Sequence, residues 1–191
     1  MSTSTKFESP RRRLSDQQAE TVAKLTAAAL EVLRDKGHSG LTVREVAKTA
    51  RVAPATAYTY FSSKEHLVVE VFWRRLSELP ESEEESGSAA DRTVLVLRQV
   101  ALLVADEPEL ASATTASLLG PDAEVDHLRT QVGVEIRRRL LRALDGAEQD
   151  MRTVETLEMI YSGALLRAGM GYSTYEEMAD SIEFAARKIL E

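Results

Sequence analysis

The stretch from Leu41 to Leu67, LTVREVAKTARVAPATAYTYFSSKEHL, constrains the fold more than any other part of the chain. Thr42 stands three residues before Glu45, and Ser62 three before Glu65. That is the spacing of a capping box, in which a hydroxyl and a carboxylate satisfy the free N–H groups of a helix start. Between them, Arg51-Val52-Ala53-Pro54 puts proline where a helix takes its first residue and needs no N–H. The pattern predicts two short helices joined by a tight turn, then the start of a longer one. The second short helix, about 54–60, is crowded with Thr and Tyr. Such a segment suits contact with an outside partner better than burial.

Charge supports that division of labour. The 191 residues carry 24 Lys+Arg and 31 Asp+Glu, a net charge of -7. Residues 1–75 hold 13 of the basic and 8 of the acidic residues, and the rest of the chain holds 11 and 23. A small basic head on an acidic body is the electrostatic footprint of a nucleic-acid-binding module. The chain has no cysteine, which excludes a disulfide framework, a Cys-ligated zinc site and a thiol nucleophile. No apolar run is long enough to span a membrane, and the first residues lack the apolar core of a secretory signal. A cytoplasmic protein with no membrane partner is expected.

The chain reads as all-α, with about nine helices and three parts. Residues 1–14 form an arm with Arg11-Arg12-Arg13, either simply solvated or adding phosphate contacts in the minor groove. Residues 15–76 form the head and 77–191 the body. Ser15 and Gln18 open helix one, whose stripe of Val22, Leu25, Ala29, Val32 and Leu33 runs to a left-handed stop at Gly37. Helix two, about 43–50, turns Val43, Val46 and Ala47 inward, and Val52 plugs the turn. Helix four follows Ser62 through Leu67, Val68, Val71, Phe72 and Leu76. The acidic segment Pro80 to Asp91 is the boundary candidate. Beyond it, helices are expected over about 91–105, 108–119, 122–144 and 148–170, with turns at Gly120-Pro121 and Asp145-Gly146. Thr174 and Glu177 open a last helix that runs to about Leu190.

On these residues the N-terminal part resembles the tetracycline-repressor (TetR) family of bacterial transcription regulators, over about 15–75. The most specific piece is Val52 through Phe61 followed by Ser63-Lys64-Glu65, with Leu41 through Ala47 matching the family's second helix. Ala53 departs from a usual capping serine and Ala57 from a usual leucine. The resemblance implies a helix-turn-helix that binds double-stranded operator DNA. Thr42, Tyr58 and Lys64 would contact phosphates, and Arg44 would reach a base edge or a phosphate. Pro54, Ala55, Thr56, Thr59 and Tyr60 would face the major groove. Phe61 reads as core.

The body matches no motif. By resemblance its last two helices would pair with a second subunit as a four-helix bundle, and Gly163, Ala164, Ala168 and Phe184 are the interface candidates. The same small residues also suit close packing within one chain. A dimer would read a roughly palindromic operator. Helices five to seven would enclose a small-molecule effector, apolar or amphipathic, with Trp73, Leu102, Leu103, Leu118, Val125, Leu128, Met159 and Tyr161 as candidate lining. Arg167 is a candidate anion partner, and Arg137-Arg138-Arg139 reads as a solvated face.

Enzyme readings find little support. Glu124 and His127 have the Glu-x-x-His spacing of carboxylate-bridged di-iron bundles, which need a second copy of the motif and more inward glutamates. There is no phosphate loop, zincin motif or nucleophile elbow. The expected function is that of a dimeric, effector-released repressor with no catalytic residue, metal or cofactor. The alternatives are an activator of the same family, or an all-helical enzyme or hydrophobic-ligand carrier whose head is incidental.

Overall fold

The computed structural model describes residues 16–81, 87–144 and 151–190. The arginines of the arm, Ser15, part of the acidic segment and the Asp145-Gly146 turn lie outside the described residues. Among those described there are nine α-helices and no strand.

Helix α1 (Asp16–Gly40) buries the whole stripe from Val22 to Leu33. Its regular geometry breaks at Gly37, whose φ of 63° lies in the left-handed region that glycine occupies without cost. Helix α2 (Val43–Thr49) starts where Thr42 Oγ1 accepts from the Glu45 N–H at 3.1 Å. Only half of the expected box forms there, because the Glu45 carboxylate turns to Lys36 Nζ at 3.0 Å. The turn that follows is closed by Arg51 at φ 56°, a non-glycine residue in the left-handed region. Val52 packs half-buried on the core beside it. Helix α3 (Pro54–Tyr60) has no side-chain cap and starts on Pro54. It is held from below by Ala57 and Phe61, 0% and 2% exposed.

Helix α4 (Lys64–Glu78) is capped by Ser63, whose Oγ accepts from the His66 N–H at 3.0 Å. The expected cap was Ser62. Burial of Phe61 in an extended conformation carries the chain one residue further before it turns helical, so Ser63 has the extended capping dihedrals. Ser62 is left to point at the body.

In the body, α5 (Ala89–Ala101) begins earlier than expected because Ser88 and Asp91 form a full capping box. It ends earlier as well, at a series of turns that present Glu107. Helix α6 (Pro108–Leu119) has the expected bounds. A 3-10 turn at Ala123–Val125, in which Asp122 Oδ1 accepts from the Glu124 N–H at 2.9 Å, precedes α7 (Asp126–Ala143). Helices α8 (Met151–Gly169) and α9 (Tyr175–Leu190) form a hairpin whose second arm starts at the Thr174–Glu177 capping box.

One apolar core runs from Val22 through Ala186, so α1 and α4 of the head pack directly on α6 of the body. Glu107 fastens this junction, accepting from Arg34 of α1 at 2.8 Å and from Arg75 of α4. The run Arg137-Arg138-Arg139 of α7 is not solvated throughout, since Arg138 is exposed but Arg139 is buried. Arg139, 6% exposed, donates to the carbonyls of Leu76 at 3.1 Å and Leu79 at 2.8 Å, and its Nε meets Glu135 at 2.7 Å. It caps the end of α4, where carbonyls have no partner within the helix. Arg129 does the same for α6 through the carbonyls of Leu118 at 2.7 Å and Gly120 at 2.8 Å.

Candidate nucleic-acid interface and body

Helices α2 and α3 pack their small apolar sides down and leave a polar upper surface. Thr42, Arg44, Pro54, Ala55, Thr56 and Thr59 are exposed on it, and the Tyr58 side chain is 52% exposed. Thr59 Oγ1 donates to the Ala55 carbonyl at 3.0 Å, which commits its proton and leaves the oxygen lone pairs as acceptors. Tyr60 is half-buried against the core and offers only part of its ring. These groups have the properties that reading DNA requires: a guanidinium, hydroxyls and small methyl-bearing side chains on a surface one helix wide.

Lys64 is less free than its place in the sequence implies. Its Nζ donates to the His38 carbonyl at 3.0 Å and lies 4.0 Å from Glu65, tying the first turn of α4 to the end of α1. An ammonium has three donors, so this bond alone does not bar a phosphate. Burial, and secondarily Lys64, hold the His38 pKa below its usual value, and burial does the same for His66. Both rings therefore stay neutral at neutral pH.

The body brings together four of the expected lining residues. Val125 and Leu128 form a small cluster with Val69 of α4, and Trp73 and Leu118 pack on it. Leu102 and Leu103 sit apart, in the turn after α5, and Tyr161 lies in the main core. Met159 does not line the body at all, since 66% of it is exposed. It lies two residues from buried Leu157, about 200° around the helix.

Ala168 likewise departs from expectation. Seven residues from Tyr161, it falls on the inward face and is buried within the chain. Ala164 is half-buried on the core, whereas Gly163 has open space around it and Phe184 is 67% exposed. Arg167 lies outside, over the Tyr172 ring at 5.9 Å.

Sequence reasoning missed an open cavity of about 380 Å³ between α7 and α8. Thr130, Gly133, Val134 and Ser162 line it together with the Arg137–Glu158 ion pair, and Tyr161 alone was anticipated there. Small polar residues on a helix look like an ordinary wet face, so no signal marked it. Also unanticipated are the buried hydroxyls of Thr93, Thr114 and Ser117, which have no hydrogen-bond partner.

No described helix is long and apolar enough to cross a membrane. Comparison with known proteins places the geometry in a family. The family described as "Bacterial regulatory proteins, tetR family" matches residues 25–71, the segment that builds the exposed surface. An uncharacterised HTH-type transcriptional regulator of Mycobacterium tuberculosis (strain ATCC 25618 / H37Rv) is 46% identical over 176 residues, covering 91% of this chain and 82% of the relative. The HTH-type transcriptional repressor KstR of Rhodococcus jostii (strain RHA1) is 24% identical over 181 residues, 92% of this chain and 85% of its own. The crystal structure of the transcriptional regulator FadR from Bacillus subtilis in complex with stearoyl-CoA shares the fold, with a TM-score of 0.68 and 20% identity over 88% of this chain and 99% of that one. The chain belongs to the tetR family of bacterial regulatory proteins and is a transcriptional regulator, not an enzyme.

Proposed function

We propose that this regulator is a homodimeric repressor whose head, residues 15–76, holds a roughly palindromic operator, and whose body, 77–191, releases it on binding a small amphipathic effector. The observation that carries the DNA reading is the exposed surface of Thr42, Arg44, Pro54, Ala55, Thr56, Tyr58 and Thr59 on the basic end of the chain. Arg44 is suited to a base edge and the α3 side chains to the groove floor. Lys64 adds a phosphate contact if the DNA draws it from His38.

Pairing of two subunits is supported by a ridge on α8. Met151, Met159 and Leu166 are exposed there with open Gly163 between them, Met170 is exposed just past its end, and Phe184 is exposed on neighbouring α9. An apolar ridge of that length on a soluble surface marks an interaction site. An amphipathic effector is supported by two features of the body. The Trp73, Leu118, Val125 and Leu128 cluster offers apolar surface, and the orphan hydroxyls of Thr114 and Ser117 on α6 offer donors to a polar group. The stearoyl-CoA of the Bacillus subtilis relative is a ligand of that chemical type. An effector acts only by binding the DNA-incompetent state more tightly.

The test is fluorescence anisotropy with the DNA upstream of the chain's own gene. Binding is expected to weaken steeply with salt, and Arg44→Ala and Thr56→Ala to lose about 1–3 kcal/mol each if they read bases. Stearoyl-CoA is the first effector probe. Equal binding by wild type and both variants refutes the DNA reading.

A further inference from the structure

Two hydrogen bonds join the body to the link between α3 and α4. Ser62 Oγ donates to Glu124 at 2.9 Å, and Ser63 Oγ donates to Asp122 at 2.7 Å. Both acceptors belong to the loop between α6 and α7. The Ser63 oxygen simultaneously caps α4, so its one hydroxyl proton is committed to Asp122. The other Asp122 oxygen accepts from the Glu124 N–H, which holds the two carboxylates on one short, rigid loop. The Ser63 hydroxyl, and next this N–H, keep the Asp122 carboxyl below its usual range, so it stays ionised.

This is where the proposed surface would meet the DNA backbone. The serines stand between Phe61, which ends the recognition helix, and Lys64, which starts a 15-residue helix. Serine hydroxyls at the positive end of a helix dipole suit a phosphate, an anion that presents two acceptor oxygens as a carboxylate does. Here they are occupied by carboxylates of the same chain.

We infer that Asp122 and Glu124 stand in for DNA phosphates at the start of α4, so that the α6–α7 loop acts as an autoinhibitory clasp on the head. The inference rests on the DNA-binding reading above. It also supplies a route for regulation. Loop residue Val125 belongs to the apolar cluster with Leu118 and Leu128, so a repacking of that cluster would be carried to the carboxylates and the serines they hold.

The clasp acts on phosphates, and a duplex of arbitrary sequence therefore tests it as well as an operator does. The full-length wild type is compared with Asp122→Asn/Glu124→Gln, which removes the charges, and Asp122→Ala/Glu124→Ala, which also removes the hydrogen bonds. Glu109→Gln is the control, removing one negative charge, half the change of the double variants, from an exposed residue at the far end of α6. Circular dichroism melting confirms that each variant is folded. Both double variants are expected to bind DNA about fivefold tighter than wild type at low salt, as two exposed charge contacts allow, while Glu109→Gln shifts binding less than about twofold. A gain no greater than the control's overturns the proposal. Weaker binding overturns it as well, since the loop would then brace the DNA-competent head. Absence of salt-dependent DNA binding by the wild type refutes the parent reading and this one together, whereas wild-type binding that the variants leave unchanged refutes only the clasp.

Discussion

Replacement of Arg139 by alanine is expected to destabilise the chain more than any other arginine-to-alanine change on α7. The guanidinium is buried and serves the α4 carbonyls of Leu76 and Leu79, with Pro80 a longer contact at 3.3 Å, and it pairs with Glu135. A hydrogen bond to a charged donor is worth about 1.5–3 kcal/mol, and breaking a buried pair costs about 3–5. Not all of that is lost here. Pro80 is exposed and water can reach its carbonyl, and Glu135 keeps Arg138, bonded at 2.7 and 2.8 Å. The buried Leu76 carbonyl and the half-compensated Glu135 remain, for a cost of about 3 kcal/mol. At about 2–4 °C per kcal/mol for a chain of this size, the midpoint falls by about 6–12 °C. Urea denaturation followed by circular dichroism measures the free energy directly. Arg139→Met restores the apolar stem but none of the bonds and is expected to recover less than half of the loss. Arg138→Ala removes the pairs of an exposed guanidinium with Glu135 and Glu81 and is expected to cost under about 1 kcal/mol. If Arg139→Ala and Arg138→Ala lie within about 1 kcal/mol of each other, the capping role assigned to Arg139 is wrong.

Three further outcomes are expected. Arg51→Gly relieves a left-handed backbone and should stabilise the chain by about 1 kcal/mol in the same denaturation assay, and a loss would mean the Arg51 side chain contributes a contact. Gly169→Ala brings a Cβ to 2.3 Å from Thr115 Cγ2 and should cost about 1–3 kcal/mol, whereas Gly163→Ala meets nothing and should be neutral or stabilising in the monomer. The Asp91 carboxyl is lowered from 3.8 to about 2, first by the Ser88 hydroxyl and then by Arg187. Its folded value is the lower one, so its contribution is complete above the usual 3.8 and disappears as pH falls through about 2. The melting temperatures of wild type and Asp91→Asn should therefore differ at neutral pH and converge near pH 2, and a constant difference would exclude the ionised capping box.

What the sequence shows clearly is local. The α1 stripe, the left-handed Gly37, Pro54 at the first turn of α3 and the Thr174–Glu177 box are each contained within a few residues, and each forms. The exposed α2–α3 surface was legible for the same reason. What depended on distant packing was not. Ser62 has the capping-box spacing to Glu65, yet the burial of Phe61 makes Ser63 the cap of α4. Arg139 did carry a signal, since it falls between inward Ile136 and Leu140, but the run of three arginines obscured it. Met159 and Ala168 were misplaced by composition where helical angle from Leu157 and Tyr161 places them correctly. The loop carboxylates at Asp122 and Glu124 meet serines about sixty positions away, a pairing no local pattern encodes.

The two capping arginines of α7 have a consequence for mechanics. Arg129 grips the end of α6 and Arg139 the end of α4, ten positions apart on one uninterrupted helix, or about 15 Å along its axis. α7 is therefore a strut of fixed length between the two helices that carry the body's packing onto the head. A push on either helix end is transmitted to the other as translation or rotation of the strut, and the two ends cannot shift independently without giving up the carbonyl contacts of Arg129 or of buried Arg139.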